Sequence, residues 1–214
     1  AISTVMLKLS GMNWFDALCH AMSACATSGF STKNASVAYF DSPLIETVLI
    51  LTMGIAGMHF GLIYATVTGK RNNLFRSEVT RWYVGILLGC SVLIAVSLYA
   101  ADIYPTLTSS FRHAAFQFFS LMTTTGFASA DSNVWPPFAV ILLMFGSIVC
   151  ACAGSTTGGM KVNRLVLAGK MIRTQLQRQQ HPNAVIRIKL DGMLQEDGVI
   201  HGVMIFIVTY MLAI

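Results

Sequence analysis

Charge is scarce in this chain. Only 11% of its residues are Asp, Glu, Lys or Arg, against roughly 25% in soluble domains. The apolar blocks 47–69, 82–101 and 134–160 contain none of these four, and His59 alone interrupts the first. Each block reaches the roughly 20 residues that cross a bilayer. A soluble all-helical protein would show a polar stripe on each helix, which these blocks lack. No C-x-x-C pair occurs among Cys19, Cys25, Cys90, Cys150 and Cys152. That spacing rule gives no zinc site and no disulfide framework, and leaves the cysteines as small buried hydrophobes. H-E-x-x-H is also missing. His20, His59, His113, His181 and His201 are scattered, so an enzyme is not expected. The absence of carboxylates inside the apolar blocks disfavours an ion-coupled secondary transporter with a midplane substrate site, which is the alternative reading.

The net charge is +5, and its placement argues against nucleic acid as a partner. Lys70, Arg71, Arg76 and Arg81 share one connection between blocks. Lys161, Arg164, Lys170, Arg173, Arg178, Arg187 and Lys189 share the other, and the opposite connections hold Asp16, Asp41, Asp102 and Asp131. Basic loops gather on the cytoplasmic side of a membrane. The expected surroundings are therefore a lipid bilayer, crossed several times with the basic loops inside.

What the chain does have is a repeat. Phe116-Gln-Phe-Phe-Ser-Leu-Met-Thr-Thr-Thr-Gly-Phe-Ala-Ser-Ala-Asp131 has a partner in His20-Ala-Met-Ser-Ala-Cys-Ala-Thr-Ser-Gly-Phe-Ser-Thr32. A constant offset carries Ser23 to Ser120, Thr27 to Thr124, Ser28 to Thr125, Gly29 to Gly126 and Phe30 to Phe127. Such self-similarity marks duplicated structural units. Each unit reads as helix, re-entrant half-helix, Thr/Ser-Gly turn, helix. Asn13 is the expected N-cap of the first half-helix, which should end near Ala26. The second half-helix is expected to begin near Ser109-Ser110. Pro43 should open one continuous descending helix reaching about Gly69, with Gly54, Gly57 and Gly61 at close helix contacts. Residues 82–101 should ascend, with Trp82, Tyr83, Tyr99 and Tyr104 at the interfaces.

Trp135-Pro-Pro opens a last complete helix that should break. Ala153, Gly154, Ser155, Thr156, Thr157, Gly158 and Gly159 crowd its inner half, and each glycine disfavours helix by about 1 kcal/mol. The stretch is not a phosphate-binding loop, because Met160 stands where that motif needs Lys. A basic helix should follow to about Gln180, ended by His181-Pro182, with a short strand or extended link in 185–190. A further spanning helix should start near Gly198, and the chain reads as part of a longer protein.

The chemistry follows from polarity. Half-helices entering from outside direct their C-terminal ends, with partial negative charge, toward the membrane middle. Backbone carbonyls of Thr27, Ser28, Gly29, Thr124, Thr125 and Gly126 lie beyond those ends. Uncharged oxygens suit a dehydrated monovalent cation, whereas a divalent-ion site would use carboxylates.

These residues resemble the TrkH/KtrB superfamily of potassium-uptake proteins. The resemblance rests on Ala26-Thr-Ser-Gly-Phe-Ser-Thr32, Thr123-Thr-Thr-Gly-Phe127, Ala151-Cys-Ala-Gly-Ser-Thr-Thr-Gly-Gly-Met-Lys-Val162 and His181-Pro-Asn-Ala-Val185. It implies an all-α integral membrane fold in which four pore-loop units surround one pore with pseudo-fourfold symmetry. Residues 1–69 would be most of the second unit, 70–81 a cytoplasmic connection and 82–174 the third unit. Residues 175–197 would be a cytoplasmic linker and 198–214 the start of the fourth unit. Thr27, Ser28, Gly29, Phe30, Thr124, Thr125, Gly126 and Phe127 would supply half of a potassium filter, and 153–159 the gating loop. The resemblance further implies bound potassium as the transported ion, no organic cofactor, a homodimer, and a cytoplasmic nucleotide-binding TrkA-like subunit. That subunit would meet Lys161, Arg164, Lys170, Arg173 and Arg178. Ser28 departs from the family pattern, which often has Gly there.

Overall fold

The computed structural model describes residues 1–69, 74–180 and 187–214. Lys70, Arg71, the His181-Pro182 helix stop and the His181–Val185 stretch lie outside the described residues. Helices account for nearly all regular structure. They are α1 (Ile2–Leu9), α2 (Trp14–Cys25), α3 (Pro43–Ala56), α4 (Phe60–Val67), α5 (Glu78–Ala100), α6 (Leu107–Met122), α7 (Pro137–Val149), α8 (Val162–Gln180) and α9 (Asp197–Ala213). A two-stranded antiparallel hairpin, β1 (Lys189–Leu190) and β2 (Met193–Leu194), joins α8 to α9.

Local chemistry sets the helix starts. The Asn13 side chain accepts from the Asp16 amide at 2.7 Å, capping α2 as expected. Thr106 caps α6 by accepting from the Ser109 amide at 3.2 Å, so α6 begins at Leu107, earlier than expected. Ser77 caps α5, which begins at Glu78 and not at Trp82. Pro43 and Pro137 occupy the first helical positions of α3 and α7. With its 23 residues, α5 is the one single helix among the described residues that is long and apolar enough to span a bilayer.

Two cores meet at α6. One gathers Leu7, Met12, Ala17, Leu49 and Met53 from the first repeat, and takes in Phe116 and Phe127. The other gathers Tyr83, Leu87, Ile94, Ala139 and Leu143 around Phe118 and Met122. Phe116 and Phe118 are two positions apart, so they leave the helix on opposite faces. The half-helix α6 is thereby the wall shared by both repeats, packed against α3, α5 and α7.

The expected continuous helix over 43–69 is wrong. It breaks after Ala56 and resumes at Phe60 with a bend of 97°. Long-range hydrogen bonds satisfy the broken backbone: the Cys152 amide donates to Gly57 O at 3.0 Å, and the Phe60 amide to Gly154 O at 3.1 Å. His59 caps α4 by accepting from the Gly61 amide at 3.0 Å. Gly54 and Gly57 do lie at close contacts, against Phe119 and Tyr83, but Gly61 faces the His59 ring of its own turn. Tyr83 is not at an interface either. It is fully buried and donates to Gly54 O at 3.1 Å. The second break falls where composition placed it: α7 ends at Val149 and α8 begins at Val162.

Candidate functional site

The two Thr/Ser-Gly turns have matching backbones. Each half-helix closes with an amide-to-carbonyl bond of 2.9 Å, Ala26 to Met22 and Thr123 to Phe119. The next wider bonds also match: Ser28 to Ser23 at 3.0 Å and Thr125 to Ser120 at 2.9 Å. Thr27 and Thr124 take the left-handed region at φ 51° and 52°, followed two residues on by Gly29 and Gly126 at 71° and 84°. A β-branched residue rarely adopts that region, so the same strained turn is built twice.

The turns approach each other. A Cβ on Gly29 would lie 2.0 Å from the Thr125 carbonyl oxygen, so only glycine fits there. Gly126 faces open space. Thr27, Thr125 and Phe127 are buried, Gly29 and Thr124 half-buried, and Ser28 and Gly126 exposed. The aromatic positions differ most: Phe127 is 2% exposed and Phe30 80%. Phe127 stacks on the His20 ring of α2, at 5.6 Å between centroids.

The 150–161 loop packs beneath both turns. Thr27 Oγ1 donates to Thr156 O at 3.3 Å, and Thr156 Oγ1 donates to Cys25 O at 3.3 Å. The Gly158 amide donates to Thr124 Oγ1 at 3.1 Å. Left-handed backbone at Cys150, Gly154, Gly159 and Lys161 shapes the loop. Gly159 lies so close to Cys150 that an added Cβ would be 2.1 Å from its Sγ. Ser155 and Thr157 share a hydroxyl bond of 2.7 Å, and half-buried Ala153 precedes Gly154 at the α3–α4 break.

The basic residues after the loop divide. Lys161 Nζ turns back and donates to Thr157 O and, at 2.9 Å, to Thr157 Oγ1. Arg164 donates to Met160 O at 3.2 Å and lies 3.9 Å over the Phe206 ring. Lys170 donates to Glu78 Oε2 at 2.5 Å and to Lys189 O at 2.7 Å. Arg173 and Arg178 are exposed.

Sequence reading passed over the supports at the start of the two half-helices. Asp16, buried, accepts from Thr32 Oγ1 at 2.5 Å and from Asn13 Nδ2 at 2.9 Å, with Lys33 Nζ at 3.4 Å. The Thr32 hydroxyl, with Lys33 adding to it, holds the Asp16 carboxyl below its ordinary range. Arg112 holds Glu46 with two bonds of 2.7 Å. The repeat offset was the available signal for one missed residue, since it sets His20 on Gln117. No group of three or more potential metal ligands occurs among the described residues.

A family model described as TrkH, cation transport protein, matches residues 1–214. The chain belongs to the TrkH family. That family is one of transport proteins and not of enzymes. The Trk system potassium uptake protein TrkH of Halomonas elongata is 38% identical over 204 residues, covering 95% of this chain and 42% of that protein. TrkH of Escherichia coli K12 is 34% identical over 207 residues, covering 96% and 43%. The crystal structure of the potassium transporter TrkH from Vibrio parahaemolyticus superposes with a TM-score of 0.92 at 34% identity, over 99% of this chain and 46% of that one. The chain therefore spans less than half the length of the TrkH relatives it matches. The structural likeness extends over both turns and the loop beneath them.

Proposed function

We propose that this chain forms part of a membrane path for potassium uptake. Thr27, Ser28, Gly29 and Phe30, with Thr124, Thr125, Gly126 and Phe127, make two of four filter segments arranged with pseudo-fourfold symmetry. The ion sheds water at the outer mouth, where carbonyl oxygens replace its hydration shell. It then meets residues 153–159, which act as the gate. The units divide at 1–69, 70–81, 82–174, 175–197 and 198–214, with basic connections on the cytoplasmic side of the inner membrane. The protein works as a homodimer with a TrkA-like nucleotide-binding subunit at Arg173, Arg178 and their basic neighbours on α8. Transport uses no organic cofactor.

One observation carries this reading: the loop is hydrogen-bonded to both strained turns, through Thr27 and Thr124. A loop serving packing alone has no need to meet the two repeats at the same position. Potassium transport itself is supported by the relatives, all named as potassium uptake proteins.

The test is rubidium and sodium uptake by the full-length protein in uptake-deficient cells, with and without Gly126→Ser. The side chain has room, because nothing lies within 4 Å of an added Cβ, but φ is +84°. The expected outcome is a lowered rubidium-over-sodium ratio. A ratio identical to wild type would remove Gly126 from the filter.

A further inference from the structure

His20 is a buried polar side chain in the middle of α2, and the transport reading gives it no role. Its Nδ1 lies 2.8 Å from Asp16 O, and its Nε2 lies 2.8 Å from Ser31 Oγ. A carbonyl can only accept, so Nδ1 carries the hydrogen. In the neutral ring Nε2 then accepts from the Ser31 hydroxyl, which itself accepts from the Lys33 amide at 3.1 Å. Ser31 is the residue that follows the 27–30 turn. The same imidazole stacks on Phe127 of the other turn, with 25° between the rings, and meets Phe40 edge-on at 5.5 Å. One side chain thus touches both turns, by a hydrogen bond to one and a ring face to the other.

The second repeat holds the matching position differently. Gln117 falls on His20, and its Nε2 donates to Ala130 O, the carbonyl of the position that matches Lys33. In both repeats a polar side chain from the half-helix ties down the segment leaving the turn. The hydrogen-bonding group is conserved in role between repeats while the residue type is not.

We infer that His20 is a positioning residue for ion selectivity, fixing the spacing of the two Thr/Ser-Gly turns through Ser31 and Phe127. Gln117 does the corresponding work for the segment leaving the second turn. The inference rests on the reading of the turns as a filter. Neither residue meets the ion. Each holds backbone carbonyls at the separation that distinguishes one cation radius from another, from a buried side chain.

The experiment measures rubidium-over-sodium uptake in the full-length protein for His20→Leu, Ser31→Ala, the double variant and His20→Gln, beside Gly126→Ser. His20→Leu removes both hydrogen bonds and is expected to lower the ratio by about tenfold. Ser31→Ala should lower it in the same direction by less, and the double variant should be no worse than His20→Leu. His20→Gln should retain the ratio, since glutamine serves at the matching position. A merely structural role would reduce uptake of both ions together and leave the ratio alone, which would overturn the inference. An unchanged ratio in His20→Leu and Ser31→Ala, beside a lowered one in Gly126→Ser, would sink the inference and spare the filter. An unchanged ratio in all three would remove the filter reading as well. If His20→Leu fails to reach the membrane, Ser31→Ala decides: a lowered ratio upholds the inference and an unchanged one overturns it.

Discussion

Gly29 and Gly126 occupy the same place in two copies of one turn, yet they answer to different neighbours. Both have positive φ, so alanine at either costs about 1–2 kcal/mol of backbone strain. At Gly126 that is the whole cost, because the Cβ enters open space. At Gly29 the Cβ would also meet the Thr125 carbonyl at 2.0 Å, and backbone cannot swing aside as a side chain can. Thermal unfolding in detergent should therefore show Gly29→Ala melting below Gly126→Ala, by about 2–4 °C for each further kcal/mol. Equal melting temperatures would mean that the turns do not touch. The turn itself was legible in the sequence through the Thr/Ser-Gly-Phe repeat. The difference between the copies was not, because a carbonyl 96 positions away creates it.

At the scale of elements, the two helix breaks had unequal sequence signals. Residues 154–159 set three glycines among three hydroxyl residues, and the break there was readable from composition. Residues 57–59 lie in an apolar block that only His59 interrupts. Their break exists because amides of Cys152 and Phe60 complete hydrogen bonds between the block and a distant loop. Tyr83 shapes the same place. Its hydroxyl fills the space beside Gly57, where an added Cβ would be 2.2 Å from it. Gly57→Ala should thus be strongly destabilising, and Tyr83→Phe should cost about 1 kcal/mol for the bond to Gly54 O. Combined, they should cost less than the sum by about 0.5 kcal/mol or more, since Phe leaves room that Tyr denies. Additive unfolding free energies would show that the clash is relieved elsewhere.

Across the whole molecule, an ion pair joins the repeats at the end opposite the 150–161 loop. Arg112 of α6 binds Glu46 of α3 through two bonds of 2.7 Å, and Asp41 through a third of 3.0 Å. The Glu46 side chain is only 2% exposed. Arg112→Leu would leave that carboxylate buried and unpaired, at a cost of about 3–5 kcal/mol. Adding Glu46→Gln should recover most of the loss, as measured by chemical denaturation. No recovery would mean that Arg112 acts through its packing and not its charge. Sequence could not pair Arg112 with a partner 66 positions away. The mostly helical architecture and the doubled turn were legible because apolar blocks and repeat spacing are local properties. The pairing of elements across the core was not, because it depends on contacts between residues far apart in the chain.

The loop beneath the turns has a consequence for occupancy. Three hydrogen bonds tie it to the turns and the half-helix end, at Thr27, Cys25 and Thr124, while separate bonds to Gly57 and Phe60 hold it to the α3–α4 break. At about 1 kcal/mol net each, releasing all three costs about 3 kcal/mol. By those bonds alone, a resting protein would hold the loop detached from the turns in roughly one molecule per hundred. A regulator gripping α8 would need to favour the detached state by about ten-thousandfold to reverse that ratio, which corresponds to about 5.5 kcal/mol of differential binding.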